Sequence, residues 1–394
     1  MGREGKDDYL RAIRERYQNS TKKLKQPILD EFCLVCGYTR KYAIRKLNGA
    51  INSRDRKPGP KRKYSEEVER HLVILWRAMG MMCSKKMVAG LILWLPYYKD
   101  ADDKIKSQLL KISASTIDRM LRPYKSPEQR GLSTTRPVSW VKTQIPIELI
   151  HSKIKHPGFI EADTVAHCGN SIAGEYANSI TMTDLYSGWT ENRSAWTKDA
   201  DGVADKIKDI ENDLPFPLLG FASDNGTEFL NETLYNYFKN RTPRPVKLVR
   251  RRPYKKNDNA HVEQKNWTHV RLLFGYDRID DESLVPMMNE IYRSCWNPLL
   301  NFFTPTMKLI KKTRIGAKIR KIYDEPKTPY QRIFDSKDIP IGIKEHLYLK
   351  SSWLNPFFLR QELDKKLKTF SKLIAINNRR NKDYENQVMA QQQL

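Results

Sequence analysis

The sequence predicts a mixed-sheet α/β domain, with helical units before it and a basic tail after it. Residues 158–197 hold three β-rich runs separated by turn residues: GFIEADTVAH, YANSITMTD and GWTENRSAWT. Residues 201–275 alternate helical segments with the short runs LLGFASD and VKLVR. Successive strands followed by alternating helix and strand predict a mixed sheet. Before residue 126, apolar residues recur at helical spacing instead.

Residues 1–50 predict a helix-turn-helix unit. The segments ILDEFCLVCGY and TRKYAIRKLNG have helical spacing, Gly37 separates them, and Thr39 supplies the N-cap of the second. A short basic helix after such a turn is typical of a recognition helix that enters a DNA groove. The residues of this helix predicted to contact DNA are Arg40, Lys41, Arg45 and Lys46.

A linker, a second helical unit and a connector follow. Residues 51–63 are basic and broken by a Pro-Gly-Pro triplet, which predicts a linker. Residues 64–125 predict further helices with serine N-caps. The last of them, with Arg119 and Arg122, is either a second recognition helix or a helical spacer. Residues 126–157 are rich in Pro, Ser, Thr and Lys and predict an extended connector to the α/β domain at 158–297.

Three acids within the α/β domain are candidate site residues. Asp163 lies inside a β-rich run, where a charge is unexpected. Asp224 ends an apolar strand, at the edge of the sheet where open α/β folds bind ligands. Glu263 lies on the predicted helix that follows the last strand of the domain. For any one of these acids alone, a salt bridge to the abundant Lys and Arg is the alternative interpretation.

The helix predicted for residues 259–275 gives Glu263 its setting. At about 100° per residue, Glu263 falls in the middle of an apolar stripe, and His269 projects away from that stripe. The stripe consists of Val262, Trp267, Val270, Leu273 and Phe274. A carboxylate on a buried face is costly unless it is paired or binds a metal, so Glu263 is a candidate ligand.

Three carboxylates brought together at strand ends and on a helix would suit two Mg²⁺ ions, with Mn²⁺ as the alternative metal. Hard cations prefer oxygen ligands. Two such ions about 4 Å apart can stabilise both the attacking and the leaving oxygen of a phosphodiester. We therefore expect a two-metal site, and we expect no small-molecule cofactor.

The acidic residues and their flanking sequences resemble the DDE motifs of retroviral-type integrases and bacterial insertion-sequence transposases. Asp163 stands in IEADTV, Asp224 in SDNGTEF and Glu263 in NDNAHVEQKN, with 38 residues between the last two. The resemblance covers about 158–297 and implies a ribonuclease H-like catalytic core. It implies that Asp163, Asp224 and Glu263 are the catalytic metal ligands, and that Glu228 supports the following helix.

The same resemblance identifies a basic loop, RRRPYKKNDNAH, as the mobile segment before the catalytic helix. Its cations suit phosphate contacts, and a solvated basic loop is the alternative. Val270 stands where many relatives have a DNA-contacting Lys, so Lys265 or Arg271 would take that role. The candidate DNA contacts in this region are Arg250, Arg251, Arg252, Lys255, Lys256, Lys265 and Arg271.

The resemblance implies a transposase that acts on double-stranded DNA, both element terminal repeats and target. Water cuts at the element end, and the freed 3′-hydroxyl then attacks the target without a covalent enzyme intermediate. Holding two ends implies at least a homodimer. Two alternatives stay open, namely a DNA-binding regulator without catalysis and a nuclease that cuts without joining.

The tail predicts two parts. Residues 298–345 contain short, basic, strand-like runs, including KLIKK, RIGAKIRKIYD and TPYQR, and predict a small β-rich domain. Residues 346–394 predict a helical tail with a polar end.

Bulk composition agrees with a nucleic-acid partner. Among 394 residues, 71 are Lys or Arg and 46 are Asp or Glu, which gives a net charge of +25. Such a surplus attracts polyanions, although a ribosome-associated or merely basic protein is the alternative. The five scattered cysteines favour a reducing compartment, and the lone pair Cys33 and Cys36 is interpreted as helix-core thiols rather than metal ligands. No signal peptide or spanning segment is predicted, so we expect a cytoplasmic, nucleoid-associated bacterial protein without a membrane partner.

Overall fold

A computed structural model describes residues 2–49, 63–125, 154–196, 199–223, 228–229, 231–241, 244–250, 265–315 and 318–392. The chain forms two compact units, Met1–Lys63 and Tyr64–Leu394. Two of the predicted site residues, Asp224 and Glu263, lie outside the described ranges. Most of the predicted linker and connector do as well.

The first unit consists of α1 (Arg3–Gln18), α2 (Lys22–Cys36) and α3 (Arg40–Asn48). Gly37 ends α2 at a left-handed φ of 66°, a conformation that favours glycine. The two helices predicted around this turn are therefore confirmed. The core of the unit draws on all three helices and contains Ile13, Tyr17, Ile28, Leu29, Phe32, Cys36, Ala43 and Leu47. Cys33 and Cys36 are free thiols, and Cys36 is fully buried in this core, as interpreted from the sequence.

The second unit begins with the helices α4 (Glu66–Ala78), α5 (Ser84–Trp94), α6 (Asp103–Leu110) and α7 (Ala114–Leu121). Short 3₁₀ turns follow α5 and α7. Ser65 caps α4 by accepting a hydrogen bond from the Val68 amide, as the sequence predicts.

A mixed five-stranded sheet forms the centre of the second unit. Its elements are β1 (Phe159–Ala166), β2 (Asn178–Asp184), β3 (Thr190–Ala195), α8 (Ala200–Asp213), β4 (Gly220–Ser223), α9 (Glu232–Lys239) and β5 (Lys247–Arg250). The strand order is β3-β2-β1-β4-β5. β1, β2 and β3 are antiparallel neighbours, whereas β4 and β5 run parallel to β1. The predicted mixed sheet is therefore confirmed.

Local chemistry explains the central pairing of this sheet. Parallel strands need crossover connections, which α8 and α9 provide for β4 and β5. Gly220 lets β4 approach β1 closely, because a Cβ there would lie 2.4 Å from the Phe159 ring. The strand that carries Asp163 is thereby held between β2 and β4.

Helices and a hairpin follow the sheet. A π-helical segment, Asn266–Arg271, continues as Leu272–Phe274, and we call the whole α10. Val285–Ile291, a π-helical turn at Tyr292–Trp296 and Asn297–Phe303 together form α11. The remaining elements are β6 (Leu309–Ile315), β7 (Lys318–Tyr323), α12 (Pro329–Asp335), α13 (Ile341–Ser352) and α14 (Pro356–Gln392).

The tail differs from its prediction in one respect. TPYQR is the start of α12 and not a strand, because Thr328 and Gln331 form a reciprocal capping box and Pro329 occupies the first turn. Helices therefore begin before residue 346, and the β structure described in this part of the chain is the hairpin β6–β7 with an isolated bridge between Thr306 and Lys327.

The helices that precede the sheet share a core with the helices that follow it. The Trp94 indole donates a hydrogen bond to the Phe303 carbonyl at 3.1 Å, and its ring lies 5.1 Å from the Phe357 ring. One continuous cluster of buried side chains runs from Val68 to Ile374. Within the described ranges, no helix combines the length and the apolar character needed to cross a bilayer.

Candidate functional site

Asp163 occupies the central strand of the sheet. It lies in β1, opposite Thr181 of β2, and is half-buried. One carboxylate oxygen, Oδ1, accepts a hydrogen bond from the Thr164 amide at 2.8 Å. The other, Oδ2, accepts one from Asn266 Nδ2 of α10 at 2.6 Å. Both oxygens are thus oriented by the protein.

β4 ends beside this carboxylate. Ser223, the last residue of β4, is the register partner of Ala162, which immediately precedes Asp163. Asp224 is the next residue of the chain, outside the described range. On the far side of β4, Ser223 is paired with Arg250, the last residue of β5.

Glu228 belongs to the SDNGTEF string and also reaches β1. Its Oε1 accepts a hydrogen bond from Thr164 Oγ1 at 2.7 Å. Its backbone carbonyl accepts one from Asn231, the N-cap residue of α9, at 2.8 Å. The contact to the following helix is thus made by the Glu228 backbone, whereas the Glu228 side chain contacts the residue after Asp163.

The described part of the helix predicted for residues 259–275 begins two residues after Glu263, and its first turns are π-helical. Val270, Leu273 and Phe274 are buried, as predicted. Trp267 is 44% exposed and His269 only 6%, so their predicted positions are wrong. The reason is the wider π turn, closed by i→i+5 hydrogen bonds, which rotates side chains away from the α-helical spacing assumed for the stripe.

Lys265 and His269 form a polar cluster against β3. Lys265 Nζ lies 3.2 Å from Thr190 Oγ1 and 3.2 Å from His269 Nε2. Burial, with a smaller effect from Lys86, lowers the pKa of Lys265 to about 7. Burial, reinforced by Lys265, holds the pKa of His269 well below its usual value. The ammonium predicted to meet DNA thus lies against the sheet.

Arg271 joins α10 to the end of β1. Its Nη2 donates to the Ala166 carbonyl at 2.9 Å, and the guanidinium lies 4.9 Å from the Tyr276 ring centroid. In this position Arg271 helps fix the helix that follows Glu263 against the strand that carries Asp163. The other basic candidates near the site, Arg251, Arg252, Lys255 and Lys256, lie outside the described residues.

The basic face of α3 is exposed. Lys41 and Arg45 are one helical turn apart and face solvent, while Ala43 and Leu47 are buried. Arg40 pairs with Asp30 of α2. The Arg45 guanidinium lies 5.0 Å from the Tyr42 ring centroid, and Lys46 Nζ lies 5.9 Å from it. This cluster of exposed cations is available for a polyanion.

Sequence reasoning missed Asn266, and the one signal available in the sequence was an amide side chain about one helical turn after the candidate ligand Glu263. Among the described residues, no group of three or more His, Cys, Asp or Glu side chains is arranged to hold a metal. Asp163 is the described member of the predicted triad.

Comparisons with known proteins give one extensive relative. The chain is 34% identical over 332 residues to the uncharacterized protein y4rM of Sinorhizobium fredii (strain NBRC 101917 / NGR234), covering 82% of this chain and 94% of that protein. No protein-family model matches. Among solved structures, the catalytic core domain of BIV integrase aligns with 49% of this chain and 98% of its own, at 17% identity and a TM-score of 0.29.

Proposed function

The chain belongs to the family of the Sinorhizobium fredii protein y4rM, and we propose that it is a metal-dependent enzyme that cuts and joins DNA strands during transposition of an insertion sequence. Asp163, Asp224 and Glu263 are the proposed catalytic residues. The substrate is double-stranded DNA, both the element ends and the target, and the working form is at least a dimer.

The observation that carries this proposal is the convergence of the described neighbours of all three acids. Ser223, which precedes Asp224, is paired with the residue that precedes Asp163. Asn266, three residues after Glu263, donates a hydrogen bond to Asp163 at 2.6 Å. Neighbouring strands are about 4.8 Å apart and consecutive Cα atoms about 3.8 Å. The described neighbours of Asp224 and Glu263 along the chain, Ser223 and Asn266, thus both lie beside the strand that carries Asp163.

The donor chemistry at Asp163 fits a hard divalent cation. Its carboxylate is fixed by one backbone and one side-chain donor, as ligating carboxylates commonly are. With Mg²⁺ or Mn²⁺ held by the three acids, the ions would neutralise phosphate charge and activate the attacking oxygen. Asn266 keeps the Asp163 carboxylate in one orientation, and Arg271 holds α10 against β1.

DNA binding is proposed for the exposed cations of α3 and for the basic loop before α10. Cations close to phosphates release counterions, so affinity falls steeply with salt. The net charge of +25 supports a polyanionic partner.

The test is a strand-transfer assay with labelled duplex DNA that carries the element end. We expect cleaved and joined products with Mg²⁺ or Mn²⁺ and none with EDTA. Asp163→Asn removes a charged ligand and should reduce joining by at least 100-fold. Asp205→Asn is the matched control, because Asp205 is exposed on α8 and paired only with Lys208 among its described contacts.

Each other result of this assay would have a definite meaning. Joining by Asp163→Asn at the wild-type rate would contradict the proposed site. Cleavage without joining would indicate a nuclease, and binding without cleavage would indicate a regulator.

A further inference from the structure

The hairpin β6–β7 is firmly anchored at its base. Asp324 follows β7, and its amide donates to the Lys308 carbonyl at 2.9 Å. Its carboxylate accepts hydrogen bonds from the Lys308 amide and from Arg332 of α12, at 2.5 and 2.6 Å. The Lys308 ammonium lies 4.7 Å from the ring centroid of Tyr186, which belongs to the turn between β2 and β3. The base of the hairpin is therefore built into the second unit.

Beyond its base, the hairpin is a two-stranded ribbon. β6 and β7 pair with each other in a sheet of their own, separate from the five-stranded sheet. The register pairs Lys312 with Lys321 and Thr313 with Arg320, with an irregularity between Leu309 and Lys311. A two-stranded ribbon alone is marginally stable in water and gains from a partner that covers it.

The charge of this ribbon is of one sign. Residues 308–323 contain seven Lys or Arg and no Asp or Glu. Lys311, Arg320 and Lys321 are exposed. Lys311 and Arg320 share one face of the ribbon as diagonal neighbours, about 7–8 Å apart and so within about one Debye length at physiological salt. Lys321 lies on the other face, opposite Lys312. Mutual repulsion weakens the free ribbon, and a polyanion would relieve it.

Apolar side chains are interleaved with these cations. Ile310 is 67% exposed, Ile322 41% and Tyr323 44%. A ribbon of cations and apolar groups differs from an ordinary solvated surface, since it can contact phosphates together with sugars and thymine methyl groups. The major groove of B-DNA is about 12 Å wide and admits a two-stranded β-ribbon.

We propose that the hairpin β6–β7 is a DNA-contacting ribbon that holds duplex DNA beside the catalytic site through Lys311, Arg320 and Lys321. That the polyanion is DNA rests on the proposed function. The base of the ribbon meets the turn after β2, and Asp184, at the end of β2, is the register partner of Ile160 in β1. Asp163 lies three residues further along β1, so base and site are on the order of 15–20 Å apart across the sheet. One duplex can span that distance.

The test measures binding of a 30-base-pair duplex by fluorescence anisotropy in EDTA, so that cleavage plays no part. The variant Lys311→Ser/Arg320→Ser/Lys321→Ser should weaken affinity about tenfold or more. Its plot of log affinity against log salt should be shallower by about 2 to 3, since each phosphate contact contributes about 0.9. The control Lys337→Ser/Lys368→Ser/Lys372→Ser removes the same charge from exposed sites elsewhere and should keep the wild-type slope.

A charge-conserving variant guards against a folding artefact. Lys311→Arg/Lys321→Arg should bind as the wild type does, and no variant should melt at a lower temperature than the wild type. Equal slopes for the ribbon and control variants would overturn the proposal. The proposal would also be overturned if binding to phosphatidylserine vesicles depended on the ribbon while binding to DNA did not. If the wild type binds through the ribbon but joins no strands with Mg²⁺, the proposed function fails and the ribbon assignment stands.

Discussion

At the scale of single residues, one amide fixes the candidate site. Asn266, the first residue of the π-helical segment, donates to Asp163 of β1 at 2.6 Å. A carboxylate that lacks its orienting partner can rotate, and a metal held by it is then bound less tightly.

We predict that Asn266→Ala lowers strand joining about 10- to 100-fold, the usual effect of losing such a partner. The loss should appear as a higher metal requirement, measured by titrating Mn²⁺ at fixed DNA, and high Mn²⁺ should restore part of the activity. Asn240→Ala, at the exposed end of α9, should behave as the wild type. An unchanged metal requirement in Asn266→Ala would remove Asn266 from the site.

Glu191 of β3 predicts a pH effect on stability. It is 6% exposed and accepts hydrogen bonds from the Trp189 indole at 2.9 Å and from Asn297 Nδ2 at 2.7 Å. Burial raises its pKa to about 7, although Arg193 opposes the shift. The folded state therefore binds the proton more tightly than the unfolded state. The Glu191 contribution is most favourable below its unfolded pKa near 4.5 and is lost as pH rises to about 7.

Glu191→Gln should abolish this contribution. Because Asn297 Oδ1 has no partner among the described residues, a flipped Asn297 amide could accept from the new Gln side chain. We expect the variant to gain stability relative to the wild type between pH 5 and 7.5, by up to about 3 kcal/mol. Melting temperatures of the variant and the wild type, measured at each pH in that range, give the difference in stability. The titrations of all other groups are common to both proteins and cancel in this difference. A difference that does not change with pH would contradict a raised pKa.

At the scale of elements, the sequence predicts an element where local pattern and local chemistry agree. The five strands and α8 were predictable from turn residues and apolar runs. The stripe on α10 was predicted with an α-helical period, and the π turn displaced Trp267 and His269 from it. A π turn has no pattern of its own in a single sequence. α12, by contrast, was predictable, because Thr328 and Gln331 have the spacing of a capping box.

The exposed face of α3 makes a prediction about DNA affinity. Lys41→Ser/Arg45→Ser removes two solvent-facing cations and leaves the buried Ala43 and Leu47 untouched. Affinity for element-end DNA should fall about tenfold or more, and the salt dependence should become shallower by about 2. Lys22→Ser/Lys23→Ser changes the same charge on exposed positions of α2 and is the matched control. If the two variants bind alike in a gel-shift titration, α3 is not the recognition helix.

At the scale of the whole molecule, contacts across more than 200 residues decide which parts fold together. Trp94 of α5 meets Phe303 of α11 and Phe357 of α14. No local pattern near residue 94 predicts these partners. From the sequence alone, this stretch is therefore predicted to form separate units. The chain from Tyr64 onward is instead one compact unit, and the first 63 residues are another.

This division predicts opposite effects for two truncations. A chain of residues 64–394 retains the whole core of the second unit. It should melt cooperatively, near the temperature at which the second unit melts in the full-length chain. It lacks α3, so it should cut DNA in a metal-dependent manner without preferring the element end, when end-bearing and scrambled duplexes compete in one reaction.

A chain of residues 154–394 loses Trp94 and the rest of α4–α7, which leaves Phe303 and Phe357 uncovered. Uncovering a core of this kind costs several kcal/mol, so this chain should aggregate or unfold at a much lower temperature. Equal stability of the two truncations would show that α4–α7 are dispensable for the core, and an undiminished end preference in 64–394 would move end recognition out of the first unit.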